Sequence, residues 1–110
     1  MQIEGELRDY ADKMVSLLKD TTQYRDYIHA TKVLNAMPDV RDKVYEFRRE
    51  NYFLQHAPEG EDIFNRVEEL RKKNDELLQM PEVEEFLMTE WELFSMIQDF
   101  FDRVMEQMDF

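Results

Sequence analysis

Residues 81–108 read PEVEEFLMTEWELFSMIQDFFDRVMEQM, and the fold is decided by this stretch. Pro81 opens it with a residue whose missing amide hydrogen costs nothing in a first helical turn, and Glu82, Glu84 and Glu85 follow where the helix dipole favours negative charge. No glycine and no further proline interrupts what comes after, so the spacing predicts a helix from Pro81 almost to Met108. Val83, Leu87, Phe94, Ile97, Phe101, Val104 and Met108 recur at helical steps and make one apolar seam. Phe86, Trp91, Leu93, Met96, Phe100 and Met105 widen it beyond what one intramolecular contact covers. Surplus apolar surface on a long helix of a small domain predicts a partner helix from another chain, and a second copy is the simplest partner. The expected interface is Phe86, Glu90, Trp91, Phe94, Ile97, Phe101 and Met105.

Upstream, the same periodicity recurs. Ile3, Leu7, Tyr10, Met14 and Leu17 lie on one stripe of a first amphipathic helix. Asp20-Thr21-Thr22-Gln23 then supplies capping oxygens, with either Asp20 or Thr21 as N-cap. A second helix follows, its inner face formed by Tyr24, Tyr27, Ile28, Thr31 and Leu34, and Met37-Pro38-Asp39 ends it. Pro38 and Asp39 suit the opening of a third helix running to about Gln55. Its seam is Val40, Val44, Phe47, Asn51 and Leu54, with Tyr45, Tyr52 and Phe53 beside it. Ala57-Pro58-Glu59-Gly60 reads as a loop. A fourth helix carries Ile63, Val67, Leu70, Asn74 and Leu77, with Glu68 to Lys72 and Glu69 to Lys73 as outward ion pairs. Met80-Pro81 interrupts before the fifth and last helix, as either a hairpin or a kink. The expectation is therefore an all-α fold, one domain over residues 1–110 with about five helices in a small bundle, forming a dimer.

Composition agrees and narrows the function. In 110 residues there are two glycines and three prolines, too few for the turns of an all-β fold, and 43% hydrophobic residues suffice for a core. The formal net charge is -12, and from Pro81 onward nine acidic residues face Arg103 alone. A phosphate backbone is repelled there. With no cysteine, the chain offers no disulfide, thiolate nucleophile or cysteine-ligated cluster. The N-terminus lacks a basic region followed by an apolar stretch, and no apolar run approaches the ~20 residues of a membrane span, so a cytoplasmic location is expected.

Catalytic patterns are missing. His29 and His56 do not stand in the Glu-x-x-His spacing of a di-iron bundle, since the residues three positions before them are Asp26 and Phe53. The only serines, Ser16 and Ser95, fall inside predicted helices, and Gly5 and Gly60 stand alone, so no nucleophile elbow or phosphate loop can be drawn. The reading is a non-enzymatic protein with no catalytic residue, no cofactor and no metal site. A carboxylate-bound metal enzyme rests only on acidic abundance. Direct RNA binding by Arg41, Lys43, Arg48 and Arg49, with Tyr45 or Tyr52 stacking on bases, is the alternative from another class, and a helical dimer of unrelated role is a third. Asn51, Asn74 and Glu90 interrupt the seams, where polar groups need partners and can fix register; Glu90 is expected either to be hydrogen-bonded at a helix interface or to stand at a partly exposed seam edge.

Three stretches carry a family resemblance: Thr21-x-x-Tyr24-x-x-Tyr27-x-x-Ala30, Phe47-Arg48-Arg49-x-Asn51, and Pro81-Glu82-Val83-Glu84-Glu85-Phe86-Leu87-Met88-Thr89-Glu90 followed by Leu93 and Met96. In these the chain resembles the bacterial YlbF/YmcA family of small helical regulators, which includes the YheA-type proteins. Met80 stands where the family often has asparagine, and Thr89 replaces its usual alanine. The resemblance implies a self-associating adaptor whose relatives join partner proteins to adjust messenger RNA processing by ribonuclease Y. The best-studied relatives assemble around cysteine-ligated iron-sulfur clusters, which this cysteine-free chain cannot ligate in that way.

Overall fold

A computed structural model of the chain describes residues 4–56 and 62–108. Among them the chain is all-α, with six helices: α1 (Gly5–Lys19), α2 (Thr22–Asn35), α3 (Pro38–Gln55), α4 (Ile63–Lys73), α5 (Asp75–Leu78) and α6 (Pro81–Met108). The expected loop at Ala57-Pro58-Glu59-Gly60 lies outside the described residues, as do Ile3 and Asp109.

The helix boundaries follow from local chemistry. Thr21 is the residue that joins α1 to α2. Its hydroxyl donates to the Leu18 carbonyl at 2.6 Å and accepts the Tyr24 amide at 3.2 Å, while Arg25 Nη2 donates to the Asp20 carbonyl at 2.8 Å. Both orphaned ends of the two helices are thereby answered within one turn. Pro38 occupies the first turn of α3 with Asp39 beside it. Asp62 caps α4, accepting the Asn65 amide at 3.4 Å, and Arg71, Lys72 and Lys73 sit in its last turn, where the dipole favours cations.

Six helices replace the expected five because the fourth is cut at Asn74. This residue lies in the bridge region, φ -107 and ψ 19, and its Nδ2 donates to the Leu70 carbonyl at 2.9 Å. An asparagine side chain that competes for backbone carbonyls favours the end of a helix over its interior. The seam position seen in the periodicity is a C-cap, and Leu77 reaches the core from a separate short helix. At Pro81 the chain breaks between α5 and α6, with the Met80 carbonyl accepting the Val83 and Glu84 amides at 3.1 and 2.9 Å.

Contacts group the chain into two compact units, one spanning Ala30–Met88, the other the chain up to His29 together with the chain from Thr89 on. In the first, α3 packs on α4 and α5, and Ala30, Leu34, Val44, Leu70, Leu77, Val83 and Phe86 are buried. Burying side chains of this size is worth ~1.5–3 kcal/mol each, which sets the scale of what holds the unit together. Arg48 lies over the Phe86 ring, 5.9 Å from its centroid, and Lys73 Nζ stands 4.0 Å from Glu50 Oε1. In the second unit Thr89 and Leu93 are buried, and the Tyr27 ring meets Phe94 edge-on at 6.4 Å.

The buried stripe of α6 is Val83, Phe86, Thr89 and Leu93, not the expected seam through Leu87, Phe94 and Phe101. Phe86 and Leu93, assigned to the flank, are central, while Phe94 and Phe101 are exposed. Neighbouring stripes on a helix differ by a single residue's rotation, and where both are apolar their periodicity is the same.

Candidate functional site

The burial of α6 fades along its length. Leu93 is its last buried residue and Met96 and Ile97 are half-buried; every described residue from Gln98 to Met108 is exposed. Within this second half, Trp91 is 70% exposed and Phe94 54%, and Phe100, Phe101, Val104, Met105 and Met108 are exposed as well. Phe100 and Phe101 meet edge to face, centroids 5.9 Å apart, and Gln98 Nε2 donates to Asp102 Oδ1 at 2.9 Å in the same turns. The result is a patch of rings and thioethers, which together offer rigid area and adaptable shape. Contiguous apolar surface of this kind marks an interaction site.

Of the seven residues expected at an interface, Trp91, Phe94, Phe101 and Met105 lie exposed on this half of α6. Ile97 is half-buried beside them. Glu90 is half-buried at the inner end, with its Oε2 closed off from solvent. Phe86 is 1% exposed and belongs to the unit spanning Ala30–Met88.

A second exposed apolar surface was missed in the sequence. None of the described residues of α1 is buried, and Leu7, Tyr10 and Leu17, three of its five stripe residues, are 60%, 62% and 60% exposed. The stripe itself was legible; the exposure of Leu7, Tyr10 and Leu17 was not, because periodicity records a face and not its neighbour.

The basic group Arg41, Lys43, Arg48 and Arg49 lies on α3. Arg41 Nε contacts Asp42 Oδ1 at 3.2 Å, Arg49 pairs with Glu46, and Arg48 covers Phe86. The Arg49 guanidinium holds the Glu46 carboxyl below its usual range, chiefly through their hydrogen bond. His56 stacks on Tyr52 at 4.1 Å and donates through Nδ1 to the Tyr52 carbonyl at 2.8 Å, closing the end of α3. Among the described residues no group of three or more His, Asp or Glu side chains converges on a metal-sized site, and no helix is long and apolar enough to cross a membrane.

Among the described residues the chain is all-helical, its polar side chains make caps and ion pairs, and its most developed surface is apolar and aromatic, which suits contact with another protein surface. The chain belongs to the family described as control of competence regulator ComK, YlbF/YmcA, whose profile matches residues 7–109. Membership makes it a non-enzymatic regulatory protein of the adaptor kind and agrees with the resemblance carried by the Thr21, Phe47 and Pro81 stretches. Comparison with curated proteins and with solved structures finds no match.

Proposed function

We propose that this protein is a cytoplasmic regulatory adaptor that works as a homodimer, held through the second half of α6, and that it adjusts ribonuclease Y-dependent RNA processing through protein partners. One observation carries the reading: Trp91, Phe94, Phe101 and Met105 are exposed together on the second half of one helix. Large rings contribute most to desolvated interfaces, and truncating one at a hot spot costs ~2 kcal/mol or more of binding. The family profile runs through both contact units, which supports reading residues 1–110 as one functional domain. The pathway rests on family membership. With no cysteine in the chain, the adaptor role is carried by side-chain contact and not by a thiolate-bound cluster.

The test is affinity purification of the tagged native protein from its host, with light scattering on the recovered material. Recovery of ribonuclease Y or of other members of this family on a dimeric bait supports the RNA-processing adaptor. A dimer that recovers neither removes the pathway from the proposal.

A further inference from the structure

Sulfur in this chain is confined to thioethers. There are eight methionines and no cysteine in 110 residues, so an oxidant that meets sulfur here meets a methionine side chain. Met14, Met37, Met80 and Met96 are half-buried. Met88, Met105 and Met108 are exposed, at 48%, 59% and 61%, and these are the sulfurs that an oxidant in solution reaches first.

Two of these three stand in the aromatic patch. Phe101, Met105 and Met108 follow one another at steps of four and three, so they share one stripe at the end of α6. Met88 lies on the first half of α6, before the patch begins. Asp99, Asp102 and Glu106 make the patch's own stretch acidic against Arg103 alone. That charge turns away anionic oxidants and admits an uncharged one such as hydrogen peroxide.

We propose that Met105 and Met108 form a reversible oxidation site, and that their conversion to sulfoxides loosens association through the second half of α6. The proposal rests on the homodimer reading above and adds its regulation. Peroxide meets both sulfurs in the separate copy, where they face solvent. The sulfur lone pair attacks one peroxide oxygen, and an S–O bond forms as the O–O bond breaks. The departing hydroxide takes the proton from the new S–OH group and leaves as water. Sulfur is oxidised by two electrons and peroxide is reduced by two. A polar hydrogen-bond acceptor then stands where a soft apolar side chain stood. Covering that oxygen against the apolar rings of a second copy withdraws it from water, so each sulfoxide is expected to weaken pairing roughly tenfold or more. The separate copy keeps its fold, because neither side chain contributes to the buried core.

The test treats the full chain with hydrogen peroxide. Peptide mass spectrometry reads the gain of one oxygen at each methionine, light scattering reads the assembly, and circular dichroism reads helical content. Met105 and Met108 are expected to gain oxygen before Met14, Met37, Met80 and Met96, with the mass falling from dimer to single chain and helical content retained. Methionine sulfoxide reductases acting on both sulfoxide epimers are expected to restore the dimer, and Met88→Leu is expected to respond as the wild type does. A protein fully oxidised at Met105 and Met108 that remains a dimer overturns the proposal and leaves the homodimer standing. Earlier oxidation of the half-buried methionines, or loss of the response in Met88→Leu, overturns the assignment to these two residues. An untreated wild type that scatters light as a single chain overturns the homodimer reading and this regulation with it.

Discussion

Thr21 and Trp91 show how differently single residues act here. The Thr21 hydroxyl serves two helices at once, so Thr21→Ala is expected to lower stability by about 0.5–2 kcal/mol, the range of a lost N-cap, and denaturant unfolding measures it. An unchanged midpoint contradicts the role given to Thr21. Phe86→Ala empties a fully buried site and is expected to cost about 3–5 kcal/mol, enough to unfold much of a marginally stable chain. Trp91→Ala removes a ring that is mostly exposed, so the stability of the single copy is expected to move by only about 0.5 kcal/mol while self-association weakens. Comparing unfolding with light scattering for that variant separates a core role from an interface role. At Glu46 the carboxyl is lowered by Arg49, so its contribution is present above the unfolded-state pKa and lost as pH falls through the folded value. The pair is exposed, and Glu46→Gln is expected to remove this acid-side dependence while leaving the fold at neutral pH unchanged.

Helices were the legible part of the sequence, and their contacts the illegible part. Pro38 and Pro81 marked two helix starts because an N–H is dispensable there, and the Thr21 region announced a cap although two residues competed for it. Asn74 keeps the spacing of Leu70 and Leu77 and so has the periodicity of a seam residue; its side chain decides otherwise by bonding the Leu70 carbonyl and ending α4. In α6, parallel apolar stripes left Phe86 and Leu93 indistinguishable from Phe94 and Phe101 until burial separated them. The exposed half of α6 was visible as a surplus of apolar residues, whereas the exposed α1 was not, because five residues on one stripe are an ordinary amphipathic helix. Glu90 stands where the buried part of α6 gives way to the exposed part, with one carboxylate oxygen closed off. Glu90→Leu is expected to change the oligomeric state or the melting temperature; a variant identical to wild type in both removes the register role from this residue.

For the molecule as a whole, exposed apolar side chains gather on α1 and on the second half of α6. The net charge of -12 is concentrated in part on α6, the helix that carries Trp91, Phe94, Phe100 and Phe101, where it sets like charge beside like charge. Membership in the YlbF/YmcA family makes the chain a regulatory protein. In the proposed dimer the second half of α6 is an interface that one copy leaves open. Light scattering on the wild-type protein and on Phe101→Glu tests it most directly. A wild-type mass of about 27 kDa is expected, twice the 13.5 kDa chain, falling to the single-chain mass in the variant with helical content retained. A monomeric wild type, or a Phe101→Glu protein that remains fully dimeric, contradicts it.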